Sequence, residues 1–250
     1  MLAATLDEGL PPKHLPPLWH YGLFLPFVPT PDLDGDGHPK RGDFLPPVRL
    51  PRRMFAGASL KFQRPLSLGE SASRASRIAA VDHRQGKTGD LVFVRVNSVV
   101  SQRETPCFEE EQTIVYRPGG GETAAVVPAP RSQPSVGETA VFWLPTSVEL
   151  FRYSAATFNG HRIHYDLPYV TNTEGYPGLV VHGPLIATRL CAFARRVGAG
   201  DLATFAFRGE APTFVGQEVR LVGSCEGKKV TVRAERADGT TTMSATATVR

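Results

Sequence analysis

At 250 residues, with 41% hydrophobic and 21% charged side chains, the chain can fold as one large domain or two small ones with a real core. Its formal net charge of +4 comes without a lysine- or arginine-rich run, which argues against nucleic-acid binding, and no apolar run approaches the roughly 18–20 residues of a membrane span. Three cysteines (Cys107, Cys191, Cys225), outside any CxxC, argue against a disulfide framework or a thiolate zinc site. The opening MLAATLDEGLPPKHLPP has early acids and no apolar core, unlike a secretory signal, so a reducing cytoplasm is expected.

Residues 1–50 set Trp19, Tyr21, Phe24, Phe27 and Phe44 among frequent prolines. Proline fixes φ and lacks a donor, so an extended segment wrapping its aromatics onto a body is predicted. Within it, DLDGDGHPKRGD puts Asp32, Asp34, Asp36, Gly37 and Asp43 at calcium-loop positions. The flanks VPTP and FLPPVRLP cannot form the two helices such a loop needs, and a polar turn is the preferred reading.

From 48 to 117, RRMFAGASLKF, SASRASRIAAVDHRQG, DLVFVRVNSVVSQ and EEEQTIVYR read as strands. Turns at HRQGKTGD and SQRETPC would join them in an antiparallel meander. Residues 118–147 are rich in Pro, Gly, Ser and Ala and read as a linker. The chain thus divides into 1–117, a linker at 118–147, and 148–250.

In the last part, Leu185, Ile186, Leu190, Phe193, Ala194 and Val197 recur at helical spacing, and Gly198 and Gly200 supply a C-cap. Strands follow, with turns at Cys225–Lys228 and Asp238–Gly239. One long helix and an antiparallel sheet able to wrap it make an α+β plan. Just before that helix, Asn159, His161, His164 and Asp166 crowd one short loop, and His182-Gly183 opens the helix itself. Chemistry is expected here.

The stretch TFNGHRIHYD followed by GYPGLVVHGPL resembles the MaoC-like, R-specific enoyl-CoA hydratases, whose fold is the hotdog. In that pattern His164 falls at the family's histidine, Asn159 at its aspartate, and Gly183 at the glycine whose backbone N–H holds the thioester carbonyl. Upstream, FLPPVRLPRRMFAGASLKFQRPL, GDLVFVRV and EEEQTIVYR resemble the FAS1-like dehydratase domain that precedes MaoC-like domains in one subgroup. That subgroup includes mesaconyl-C4-CoA hydratases, itaconyl-CoA hydratases and mitochondrial hydroxyacyl-thioester dehydratase type 2. The resemblance covers roughly 17–117 and 148–210. It implies a double hotdog, two antiparallel sheets each wrapping a hotdog helix, with the active site in the C-terminal half and the first half degenerate. The sequence departs from the parent motif at Asn159, His161 and Arg162, which replace an aspartate, an asparagine and a proline.

Hydration of a 2-enoyl thioester needs a proton acceptor for water, a proton donor to Cα, and a donor for the enolate oxygen. Histidine suits the first two, its ordinary pKa lying near 6.5. A backbone N–H at a helix N-terminus suits the third. His164 is therefore expected to act as base and acid, Gly183 to bind the oxyanion, and Asn159 to position water, since an amide is non-ionisable. His161 reads equally as a second catalytic group or a structural histidine. Arg162 would suit a substrate carboxylate, or is a solvated loop residue; Tyr165 and His182 are further substrate-binding candidates, although His182 is more often a packing residue. His161, His164, Asp166 and His182 match no established metal spacing, so no metal is expected.

By resemblance the substrate is a short branched or dicarboxylic acyl-CoA such as mesaconyl-C4-CoA or itaconyl-CoA. Coenzyme A would enter with the substrate, and no separate cofactor is expected. Two hotdogs in one chain stand in for the usual homodimer, and pairing of two such chains is the expected assembly. The rival readings are a hotdog thioesterase and a non-catalytic acyl-thioester-binding protein.

Overall fold

The computed structural model describes residues 1–11, 13–86, 89–119, 124–130 and 133–250. Among the described residues of the opening fifty, regular structure is confined to helix α1 (Leu2–Leu6), strand β1 (His14–Leu15) and two short 3-10 turns, Trp19–Gly22 and Thr30–Asp32. Proline frequency gives this outcome; Trp19, Tyr21 and Phe24 pack on the core as expected, whereas Phe27 and Phe44 stay exposed.

Strands β2 (Arg52–Phe62), β3 (Leu66–Ser67), β4 (Ser73–Gly86), β5 (Gly89–Gln102) and β6 (Thr105–Arg117) follow. Then come β7 (Thr139–Trp143), α2 (Ser147–Thr157), α3 (Leu167–Asn172) and α4 (Gly183–Val197). Strands β8 (Leu202–Gly209), β9 (Val219–Glu226), β10 (Lys229–Glu235) and β11 (Thr241–Val249) complete the chain. The period-two runs and the one amphipathic helix thus fold as their patterns predict. Among the described residues no helix is long and apolar enough to cross a membrane.

The α+β plan holds, with two differences from the expected layout. Nine strands form one continuous antiparallel sheet in the order β4-β5-β6-β2-β8-β11-β10-β9-β7, not two separate sheets. Pairing of β2 with β8, from Gly57↔Arg208 to Lys61↔Thr204, makes the seam. Gly57 is required there: a Cβ would stand 2.3 Å from the Phe207 carbonyl oxygen. Secondly, α4 is the one long helix held against the sheet among the described residues. Among its described residues the first half has no long helix to match α4, because no run between β2 and β6 carries helical periodicity.

The core follows from this asymmetry. Leu185, Ile186, Leu190, Phe193 and Ala194 of α4 are buried against Phe205, Leu221, Val230, Val232 and Ala245. In the first half, Val94, Val96 and Tyr116 are covered by Leu45, Val48 and Leu50 of the opening segment. Gly198 ends α4 with φ −82, so its glycine is not there for a left-handed turn. A Cβ would lie 2.6 Å from Val249 Cγ1 and 2.8 Å from Val230 Cγ2; packing explains it.

The linker reading fails for its last residues, since β7 pairs with β9 from Thr139↔Gly223 to Trp143↔Val219. Residues 120–123 and 131–132 of that stretch, and Lys87 and Thr88 of the HRQGKTGD turn, lie outside the described residues. Helices α2 and α3 were not expected, although each begins with a readable cap. Thr146 Oγ1 accepts from Glu149 N at 3.1 Å, and Asp166 Oδ1 accepts from Tyr169 N at 3.0 Å with Pro168 in the first turn.

Candidate active site

Helix α2 ends at Phe158, whose left-handed backbone (φ 50) turns the chain sharply into the polar loop. Asn159 Oδ1 then accepts from His161 N at 3.0 Å, an Asx turn that uses the amide oxygen and leaves its NH2 for other work. A 3-10 turn, Arg162–His164, carries the next residues inward. The loop is pinned from the far side by Val180 N donating to Ile163 O at 3.0 Å.

His164 is buried, and its Nδ1 lies 2.7 Å from the Val180 carbonyl oxygen. A carbonyl can only accept, so Nδ1 carries the proton and Nε2 holds the free lone pair. Burial pushes the His164 pKa down to about 4, against the upward pull of that hydrogen bond. The ring is neutral at pH 7 and its Nε2 is a base with a fixed tautomer.

Beneath it, His182 is fully buried and stacks on the His164 ring, centroids 3.6 Å apart and planes at 20°. Its Nε2 is 2.9 Å from Ser154 Oγ of α2, and it precedes α4 as the N-cap. Burial, then the neighbouring histidines, push its pKa well below the ordinary value. His182 is the floor of the site. A substrate-binding role would have to pass through His164.

Gly183 is the first residue of α4. First-turn amides have no helical carbonyl to donate to, Pro184 has no N–H, and Leu185 N is used on His182 O at 3.0 Å. The Gly183 N–H is therefore the donor at the positive end of this helix. A Cβ here would stand 3.8 Å from Phe55 Cδ1, so the glycine opens toward β2.

The remaining expected residues divide. His161 lies between two other histidines, its ring 5.3 Å from His164 and 3.9 Å from His38. Burial, then the charges of His38 and His164, push its pKa far down, so it too is neutral. Arg162 is corrected as a carboxylate receptor. Its Nε and Nη2 bind Asp166 Oδ2 at 3.0 and 2.9 Å, its Nη1 donates to Gly35 O at 3.0 Å, and its guanidinium lies 4.0 Å over the Tyr169 ring. An aspartate four residues away has already filled the fork. Tyr165 is exposed and its hydroxyl donates to Gly160 O at 3.1 Å, bracing the loop. Asp166, tied to Arg162 and Tyr169 N, is not poised to activate water as a thioesterase carboxylate would be.

The structure also brings in the polar turn of the opening segment. Leu33 bridges to Pro39, and the tip between them docks on the histidine loop. Gly37 (φ +89) packs so closely that a Cβ would be 1.9 Å from Gly160 O, and Arg162 N donates to Asp36 O at 2.9 Å. Asp36 Oδ2 meets His38 Nδ1 at 3.0 Å while its Oδ1 accepts from His38 N at 2.9 Å. Burial opposes ionisation of Asp36, but the bonds and charge of His38 hold its carboxyl well below the usual range. Asp36, His38 and His161 bring ligand-type atoms within 4.8 Å of one another. The direct Asp36–His38 bond makes this a carboxylate–imidazole pair whose ring lies tilted against that of His161. The signal was present as Asp-Gly-His, a carboxylate two residues before a histidine around a glycine turn.

A recess of about 550 Å³ on the sheet of the first half is lined by residues including Lys61, Arg77, Glu109 and Glu111 and contains none of these histidines. Chemistry, not volume, locates the site.

Known proteins match on both sequence and shape. The family model for hydroxyacyl-thioester dehydratase type 2 matches residues 18–215. The mesaconyl-C(4)-CoA hydratase of Chloroflexus aurantiacus is 45% identical over 98% of this chain and 88% of its own length. Among solved structures, HtdX from Mycobacterium tuberculosis superposes with TM-score 0.72 at 16% identity, covering 99% of this chain and 93% of that one. A second protein of that organism, described as a double hotdog, superposes with TM-score 0.54 at 10% identity over 80% and 75% of the two chains. The nine-stranded sheet with its single long helix is accordingly a double hotdog.

Proposed function

The chain belongs to the hydroxyacyl-thioester dehydratase type 2 family, and from that premise we propose that its substrate is a short dicarboxylic enoyl monothioester of the mesaconyl-C4-CoA type. The activity itself, addition or removal of water across an acyl-thioester, is that of a hydro-lyase. The 45% identity to a hydratase for that thioester supports the substrate class.

The observation that carries the mechanism is the Nδ1–H bond from His164 to the Val180 carbonyl, which leaves Nε2 as acceptor. Nε2 takes a proton from water as its oxygen bonds to the carbon β to the thioester. The double-bond electrons move toward the thioester oxygen, where the Gly183 N–H and the positive end of α4 stabilise the enolate. The imidazolium then returns its proton to Cα, so water is added and His164 is restored. Asn159, its oxygen engaged with His161 N, offers its NH2 to orient the water. No step asks for a redox group or a metal.

The test is spectrophotometric. Mesaconyl-C4-CoA should lose its conjugated ultraviolet band without release of free thiol. Thiol release would turn the reading to a thioesterase, and binding without either signal to a carrier.

A further inference from the structure

Arg53 stands on β2 two residues before Phe55, and unbroken pairing (Arg53↔Tyr116, Phe55↔Ile114) puts both on one face. Phe55 reaches toward Gly183, and Tyr116 opposite Arg53 is fully buried, so this face looks into the molecule beside the start of α4. Arg52 points the other way, bound to Glu174 at 3.0 Å and lying over Tyr176. Arg41 spends its guanidinium on the Val48, Leu50 and Pro51 carbonyls at 2.8, 2.6 and 2.7 Å, anchoring the lead into β2.

Each arginine near the site thus has its partners, with one exception. Arg53 is half-buried and has no acidic partner or hydrogen bond among the described residues. Its charge bears on both His38 and His161, whose rings lead to His164 at the distances given above. The nearby carboxylate, Asp36, is committed to His38. A half-buried guanidinium that no carboxylate meets directly keeps its fork open for one.

We propose that Arg53 receives the free carboxylate of a dicarboxylic monothioester and so sets the preference for such substrates over neutral enoyl thioesters. This rests on the substrate class proposed above. In a mesaconyl-C4-type thioester the carboxylate is attached to the β carbon, the atom that takes water. It must therefore lie next to the His164 ring, near the start of α4, where β2 presents Phe55 and, on the same face, Arg53. A guanidinium fork matches both carboxylate oxygens, which an ammonium cannot do.

The test compares binding of succinyl-CoA and butyryl-CoA, saturated thioesters that differ by a carboxylate in place of a methyl group. Wild-type protein, Arg53→Met and Arg53→Lys are titrated by calorimetry, with hydration of mesaconyl-C4-CoA and crotonyl-CoA followed in parallel. Wild type should favour succinyl-CoA by about 100-fold, the size of one charged hydrogen-bonded contact. Arg53→Met should abolish that preference, and Arg53→Lys should lose at least about tenfold of it. No preference in wild type, or equal weakening of both ligands in Arg53→Lys, overturns the assignment. Arg53→Lys retains the stem and charge, which keeps the test open if Arg53→Met does not fold. If the preference depends on Arg53 but wild type hydrates neither carboxylated nor neutral thioester, the hydration reading fails while the binding role of Arg53 stands. If wild type hydrates the dicarboxylic thioester and Arg53→Lys keeps the full preference, Arg53 fails and the hydration reading stands.

Discussion

The two halves share a sheet but solve the problem of covering it differently. In the second half, strands of seven to nine residues wrap α4, and the buried face is apolar from Phe205 to Ala247. In the first half, strands of eleven to fourteen residues carry no long helix among the described residues, and the opening segment lies over them instead. That cover is partly polar. Glu110 is buried on the sheet and is met by His20 Nε2 at 3.3 Å and Tyr21 Oη at 2.7 Å. Burial works against its charge, yet His20 and the hydrogen bonds lower its pKa below the usual carboxylate value.

This difference has a functional consequence. A helix packed on a sheet offers its N-terminus, and Gly183 uses it. An extended arm offers reach, and residues 32–40 use it to bring Asp36 and His38 onto the histidine loop. The half without a long helix is therefore not idle: it supplies Phe55, Arg53 and the Asp36–His38 pair, while the other half supplies base and oxyanion donor. The site is composite.

The comparison can be broken at several points. His164→Ala removes the base of the second half and should lower kcat by roughly 10²–10⁴-fold while the melting temperature stays near wild type. Near-normal turnover would move the proton transfer to another residue. Gly37→Ala attacks the contribution of the arm, since its Cβ would collide with Gly160 O and its φ suits glycine. A loss of about 10–100-fold in kcat/KM is expected, from misplacement of the histidine loop. Wild-type kinetics in that variant would show that the second half works alone.

Glu110→Ala probes the polar cover of the first half. It should cost about 2–3 kcal/mol in urea unfolding, by stripping His20 and Tyr21 of their buried acceptor, with kcat altered far less. The smallest effect is in pH dependence. Because the His164 pKa is pushed down to about 4, the acid limb of kcat/KM should lie near there instead of near 6.5. The sign for stability follows too. His161, His164 and His182 are depressed in the fold, so the unfolded chain binds protons first as pH falls. Their neutral contribution is complete above about pH 6.5 and is lost progressively as pH drops through about 4. An acid limb near 6.5, read from rate profiles, would place the reacting histidine in a solvated setting.

Much of this was legible in the chain. The meander of β4, β5 and β6 showed as alternation, α4 as a helical stripe, and the loop–helix unit as His164 followed by Gly183. Helices α2 and α3 were legible too in principle, through Thr146 with Glu149 and through Asp166 with Pro168, but the density of polar residues between them read as loop. Arg162 was a reasonable choice for a carboxylate on composition. Nothing local showed that Asp166 would take its fork, although the four-residue spacing permits it.

What the sequence by itself determined was what lies within a few residues: strand period, helix stripe, caps, and the order of base and oxyanion donor along one loop–helix unit. Those features are set by backbone geometry that repeats over short spans. The tertiary structure decided the rest. It put the Val180 carbonyl on His164 Nδ1 and so chose the tautomer, carried Gly35 to Arg162 across 127 residues, and left Arg53 half-buried with no partner among the described residues. Such pairings depend on sheet register and on where a helix-free arm comes to rest, and no local pattern encodes either.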